Sequence, residues 1–545
     1  MDTQDAVDLS RLSLEEKIGQ LFICGFHSLV PDDQIISLIQ NDHVGGIVYF
    51  RRNIESVQQL ADLSRKLQEI PRSQPDIPLF ISIDQEGGMV ARLDHEGISR
   101  IPGNMTLGAA NDLSLTEEAA VLAAKEMKML GINLNFAPCV DINNNPNNPV
   151  IGVRSFGEDP NRVAEHGAAA IQGYQNNGVA ATAKHFPGHG DTEVDSHLGL
   201  AVVPHGLERL TEVELIPFKR AIEAGVDAIM TAHVIFPAFE QEDIPATLST
   251  KVLTDLLRHE MEYQGVIVTD CLEMHAISKS VGVAEGAVRA IEAGADIVLV
   301  SHTWTEQTAA MAAVREAVLS GKLSMERIDE SVNRVLSLKK KRISHQVIAD
   351  EHVPVPLIPE DESGELMQRI TEHSVTLVRD CGNVPLQTKE PILVIWPELR
   401  HRTEVDEPSV HSYTLKDSLQ KYCDQVAEYV VGSHPTTAEI SEVLKQSMSF
   451  DQIVVITYTS EGTTPQGQIE LVEVLYRIHG NKVVLASTRN PYDLNHFDQI
   501  GTYICLYENR PYSLDALAKV LTGIIAPLGR LPVSLNSSYQ AGIQH

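Results

Sequence analysis

Between Ile18 and His302 the chain repeats one pattern eight times. Short runs of apolar, largely β-branched residues occur at 18–26, 45–50, 78–84, 134–142, 180–186, 227–234, 265–270 and 295–302, with helix-like stretches such as 114–131 and 162–178 between several of them. Runs that are apolar throughout, rather than alternating, mark strands buried on both faces, which is the condition of a parallel sheet. Eight such strands over about 340 residues predict a (β/α)8 barrel; a doubly wound sheet is the alternative. A capping box at Ser13-Leu14-Glu15-Glu16 predicts the start of a helix ahead of the first strand.

The length of 545 residues exceeds what one ordinary core supports. Residues 339–364 are charged and then Pro-rich, after which apolar runs resume at 391–397, 452–458, 481–487 and 501–507. The expected division is a barrel over 1–340, a linker over 341–364 and a smaller αβα domain over 365–545. A net charge of −31 repels phosphate backbones and anionic lipid, which argues against nucleic acid and membrane partners. Six scattered cysteines form no CxxC pair, and the N-terminus MDTQDAVDLS has neither the basic nor the apolar part of a signal peptide. A cytoplasmic chain with reduced thiols is expected, although a trimmed secreted chain would read the same.

Asp84, Asp141, His185, His233, Asp270 and His302 stand at or beside the C-terminal ends of six predicted strands. In a barrel those ends converge on one cleft. The densest polar stretch, KHFPGHGDTEVDSH (184–197), follows the fifth strand. Pro187, Gly188 and Gly190 stop a helix there and predict a loop over the barrel mouth. Asp195 lies two residues before His197, so in an extended segment both point the same way and the acid can orient the imidazole. An Asx-turn with a solvated histidine is the plain alternative. A metal site at His185, His189 and His197 is weaker, because the helical i, i+4 spacing is missing. Asp270 could cap a helix or act as a nucleophile. Asp84 with Gly87-Gly88 and Arg92, and Arg154 within NPVIGVRSFGEDP, supply the carboxylates and guanidinium forks that bind sugar hydroxyls, or else ordinary surface ion pairs.

Taken together, IDQEGG…R, IGVRSFGEDP, KHFPGHGDTEVDSHLGL and GVIVTDCLEM resemble glycoside hydrolase family 3, and within it the bacterial β-N-acetylglucosaminidase branch that works in peptidoglycan recycling. RNPYDL (489–494) is similar to that family's second domain. The resemblance implies Asp270 as nucleophile, His197 as general acid/base paired with Asp195, and Asp84, Arg92, Arg154, Lys184 and His185 as the residues holding a terminal N-acetylglucosamine. It implies a small saccharide or muropeptide as partner and no cofactor or metal. Competing readings are a phosphorylase using the same site, a metal-dependent barrel hydrolase and a catalytically dead sugar-binding protein. The presence of both Asp270 and His197 disfavours the last.

Overall fold

A computed structural model describes residues 9–74, 76–193, 199–343, 358–398, 412–460 and 463–543. The capping box forms: Ser13 Oγ accepts from Glu16 N at 3.2 Å and Glu16 Oε2 accepts from Ser13 N at 2.7 Å, opening the helix Leu14–Gln20. Each of the eight apolar runs becomes a strand. These are β1 (Phe22–Cys24), β2 (Gly46–Tyr49), β3 (Phe80–Ile83), β4 (Leu134–Asn135), β5 (Ala180–Phe186), β6 (Ala228–Thr231), β7 (Val266–Cys271) and β8 (Ile297–Val300). They pair in parallel and in chain order, and β8 closes on β1. β4 is short because Pro138 has no N–H for the ladder; pairing resumes as a single bridge between Cys139 and Lys184.

Alternate residues divide the barrel into two apolar layers. Ile23, Val48, Phe80, Met230, Val268 and Leu299 belong to the cluster packed inside the strands. Ile47, Ile81, Ile229, Ile267 and Val298 face the surrounding helices. The helix Met325–Arg342 is tied beneath the barrel by buried Asp296, which accepts from Ser331 Oγ at 2.7 Å, Arg334 Nη1 at 3.1 Å and Ile267 N at 2.9 Å.

The second domain is a six-stranded sheet: β9 (Thr376–Arg379), β10 (Ile392–Pro397), β11 (Val426–Val431), β12 (Gln452–Thr457), β13 (Val483–Ser487) and β14 (Thr502–Cys505). Its order is β9-β14-β13-β12-β10-β11, parallel except for antiparallel β9. Helices cover both faces: Thr437–Ser447 and Gln466–His479 pack into one apolar cluster, Leu415–Leu419 and Pro511–Leu521 into the other. The chain is thus a (β/α)8 barrel followed by an αβα sandwich. Of the linker expected over 341–364, residues 344–357 lie outside the described residues, and a helix runs over Glu360–Ser374.

Two barrel segments meet the second domain. Met105 and Ala109 enter one of its apolar clusters. Buried Glu508 accepts from Gly103 N at 2.9 Å and from Ser513 Oγ at 2.8 Å, and Arg510 Nη2 donates to Gly88 O at 2.5 Å. Farther along, Glu158 Oε2 accepts from Ser534 N at 2.7 Å. Glu508→Ala strands the Gly103 N–H and the Ser513 hydroxyl in a buried seam, a loss of about 1–3 kcal/mol. Calorimetry should show this as a lower Tm; an unchanged Tm would mean that the seam carries no stability.

Candidate active site

The C-terminal ends of the barrel strands enclose a cavity of ≈ 370 Å³, room for one sugar ring. Asp84, Arg92, Arg154, Lys184, His185 and Asp270 all line it. Of the six strand-end residues singled out from sequence, Asp84, His185, Asp270 and His302 reach this cavity. The other two stand behind it. Asp141 holds His185, and His233 bonds Thr247 Oγ1 at 2.8 Å and the Cys271 carbonyl at 3.0 Å.

One wall is a buried ion network. Lys184 Nζ lies 2.8 Å from Asp84 Oδ1 and 2.7 Å from Glu86 Oε1. Arg154 forks onto the same Glu86, Nε to Oε2 at 3.0 Å and Nη2 to Oε1 at 2.8 Å, and its Nη1 donates to Val150 O at 3.0 Å. Burial alone would raise the Glu86 carboxyl, but the Arg154 and Lys184 charges and hydrogen bonds outweigh it and hold Glu86 well below the usual carboxylate range. For Lys184 the balance is mirrored: burial would depress it, and Asp84 and Glu86 raise it. Both cations therefore stay charged at the cavity wall. Glu86 was not singled out from sequence. The available signal was its i, i+2 relation to Asp84, which turns both acids to one side of an extended segment.

The second device is Asp141 with His185. Asp141 Oδ2 lies 2.7 Å from His185 Nδ1, and its oxygens also take the His185 and His189 amides at 3.2 Å and 2.6 Å. The His185 ring is thereby locked, with Nε2 3.4 Å from Arg154 Nη2. Burial would raise Asp141, but the His185 charge and hydrogen bond, with help from His189, bring it to about 2. His189 itself is driven down to about 4, first by burial and then by the His185 charge. Cys139, Asp141 and His185 bring ligand-type atoms within 4.8 Å of one another. The arginine beside His185 and the hydrogen bonds already filling Asp141 make this a positioning unit unsuited to a cation.

The loop leaving β5 is rooted by Asn148, whose Nδ2 donates to His189 O and Gly190 O at 2.9 Å each. A Cβ on Gly190 would fall 1.7 Å from the Ile142 carbonyl oxygen, so only glycine fits this turn. His197 and Asp195 lie outside the described residues, as does the whole stretch 194–198.

Asp270 is the penultimate residue of β7, where the register against β8 slips: Val268 pairs with Ile297 but Cys271 with Leu299. This one-residue bulge lets Asp270 and Cys271, neighbours that would otherwise point apart, both line the cavity. The Cys271 amide donates to Asp270 Oδ1 at 2.7 Å. Arg92 lies over Phe50 at 5.7 Å from the ring centre, and Arg52, at 4.2 Å, completes a basic rim at the mouth.

A barrel with carboxylates, paired cations and histidines converging on a sugar-sized cavity is the build of a glycoside hydrolase. Residues 13–338 match the glycosyl hydrolase family 3 N-terminal domain and residues 374–543 the family's C-terminal domain. The chain belongs to glycosyl hydrolase family 3. It is 32% identical to beta-hexosaminidase A of Pseudoalteromonas piscicida over 92% of this chain and 91% of that one. A solved family 3 beta-N-acetylglucosaminidase from Paenibacillus sp. str. FPU-7 superposes with a TM-score of 0.91 at 49% identity, covering 96% of this chain and 99% of that chain. The structure of the beta-glucoside phosphorylase BglX is similar with a TM-score of 0.81 at 26% identity, covering 97% and 94%.

The depressed Asp141 makes a stability prediction whose sign follows from linkage. A carboxylate held at about 2 against an ordinary 3.8 stabilises the fold above the unfolded value, and the contribution of about 2 kcal/mol disappears as pH falls through the folded one. Denaturant unfolding of wild type and Asp141→Asn at pH 3 and pH 6 should show a gap that narrows at the lower pH. A gap that widens on acidification would reverse the assignment.

Proposed function

We propose that this enzyme is an exo-acting, retaining β-N-acetylglucosaminidase. In this reading it removes non-reducing terminal N-acetylglucosamine from peptidoglycan fragments during cytoplasmic cell-wall recycling. Its hexosaminidase class rests on the whole-length likeness to the Pseudoalteromonas enzyme and on the Paenibacillus structure. The observation that carries the finer reading is that Asp270 lines the same cavity as Lys184, Arg154 and Asp84.

Ionised carboxylates accept hydrogen bonds from sugar hydroxyls, and Lys184, Arg154 and Arg92 donate to ring substituents. A cavity with room for one ring and such a polar wall favours attack at a chain end. Asp270, fixed on a strand, is the nucleophile that forms a glycosyl ester with the anomeric carbon, while His197 gives a proton to the departing oxygen. His197 then takes a proton from water, which releases the sugar with its β configuration retained. Asp195 orients the imidazole and stabilises its charged form. An imidazole suits both halves of this cycle near neutral pH because its ordinary pKa is close to 6.5. The basic rim of Arg51, Arg52 and Arg92, set in a chain of net charge −31, suits the carboxylates of lactyl and peptide groups on a muropeptide.

A second reading, an N-acetylglucosaminide phosphorylase, is favoured by the BglX likeness. A histidine in place of a carboxylate base imposes no repulsion on incoming phosphate, a penalty otherwise of about 1–4 kcal/mol at 4 Å. Phosphate titration decides between the two: free sugar throughout supports the hydrolase, whereas N-acetylglucosamine 1-phosphate as main product at millimolar phosphate supports the phosphorylase.

Asp270→Ala should reduce kcat at least about 10³-fold with the fold intact; more than a tenth of wild-type turnover would remove Asp270 as nucleophile. Proton NMR of the first sugar released should show the β anomer, and product analysis on muropeptides beside chitobiose tests the substrate. His197→Ala should spare dinitrophenyl N-acetylglucosaminide relative to a disaccharide, because a good leaving group needs little protonation. Equal losses on both would count against His197 as the acid. Turnover should persist in EDTA; a loss restored by metal would revive a metal-dependent hydrolase.

A further inference from the structure

Beside Asp270, and outside the machinery described above, three side chains of differing chemistry meet. Cys271 Sγ, a Glu273 carboxylate oxygen and a His302 ring nitrogen all lie within 4.8 Å of one another. The strand bulge that directs Asp270 into the cavity directs Cys271 there too. Glu273 is fixed by the amides of His302 and Thr303, which donate to its two oxygens at 2.6 Å and 2.9 Å, and its Oε2 stands 3.9 Å from Cys271 Sγ. His302 is held against the Phe50 ring at 5.0 Å, and its ring nitrogens have no hydrogen-bond partner among the described residues. All three groups are therefore positioned before anything binds.

The donor set is one sulfur, one imidazole nitrogen and one carboxylate oxygen. That set matches borderline cations that take three protein ligands and leave a fourth position to water. Magnesium and calcium prefer oxygen alone. We propose that Cys271, Glu273 and His302 form an inhibitory site for a borderline divalent cation, zinc being the type, at the rim of the active-site cavity. Binding forms a metal–sulfur bond and releases the thiol proton to solvent; no oxidant or reductant is involved. The nearby Arg52 opposes a cation, but its guanidinium is tied to the Phe26 and Ser301 carbonyls at 2.9 Å and 2.7 Å. Burial and the Glu273 charge push the Cys271 thiol up to about 12, so the metal must displace its proton, and Glu273 with the adjacent Asp270 supplies two negative charges against Arg52. A cation seated there draws the Asp270 carboxylate toward itself and narrows the space for the sugar. Catalysis without metal and inhibition by metal are thus compatible.

The inhibition rests on Asp270 acting as proposed; the binding does not. Two readouts separate the two claims. In the first, metal binding to the full-length chain is followed with cobalt(II), which should give one ion per chain with a near-ultraviolet thiolate-to-metal absorption that zinc displaces. In the second, zinc at buffered free concentration is titrated against hydrolysis of a chromogenic N-acetylglucosaminide, each variant being compared with its own metal-free rate. Cys271→Ser should abolish the absorption and raise the half-inhibitory zinc concentration at least about tenfold. Glu273→Gln should raise it several-fold and serves if the first variant folds poorly. Binding without inhibition would keep the site and overturn its inhibitory role. An absorption that survives in Cys271→Ser but vanishes in Cys139→Ser would move the site to the buried Cys139 cluster, and no thiolate absorption at all would overturn the proposal.

Discussion

Glu86 is the group on which the active-site wall depends. Two cations converge on one carboxylate, and all three side chains are almost wholly buried. Desolvating one charge costs several kcal/mol, so none of the three is tolerated without the others. They come from the segment after β3, the loop after β4 and strand β5, elements that the Lys184–Asp84 and His185–Asp141 contacts join as well. The ion network therefore sets the spacing of three loops that the barrel alone would leave adjustable. It also keeps Lys184 charged against burial, which strengthens it as a donor to sugar hydroxyls.

The barrel was legible because its strands are apolar on both faces, which leaves no ambiguity of alternation. All eight runs contain strands, though β4 is cut to two residues by a proline that pattern reading treats as part of an apolar run. The second domain was only partly legible for the same reason. Its four central strands read as apolar runs, whereas its two edges did not. β11 carries Glu428 and is mostly half-exposed, and β9 alternates buried and half-buried residues. An edge strand needs only one apolar face and reads as ordinary surface sequence.

Of the site residues, those at strand ends could be found because position in a barrel confers direction. Asp84, His185, Asp270 and His302 reach the cavity for that reason, while Arg92 and Arg154 came from loop composition and from resemblance, and Lys184 from resemblance. What could not be read was who faces whom. Glu86 and Asp141 act through partners 98 and 44 residues away in sequence, Lys184 and His185 respectively, and no local pattern encodes those pairings. The same limit explains His233: its strand-end position matched the others, yet it is drawn outward to Thr247 and to a backbone carbonyl.

The second domain completes this logic from the outside. It touches the barrel through the Gly88–Gly103 segment and the Asn143–Glu158 segment, the two stretches that flank Glu86 and carry Arg154. The contact at Gly157 is close enough that a Cβ would lie 2.5 Å from the Pro532 carbonyl oxygen, and this glycine follows Arg154 by three residues. A loop braced on one side by an ion pair in the cavity and on the other by a neighbouring backbone has little freedom to drift. Binding a sugar then costs less ordering of the loop, since the fold has already supplied it. Among the described residues, the sandwich places no side chain of its own on the cavity wall; it braces the loop that does.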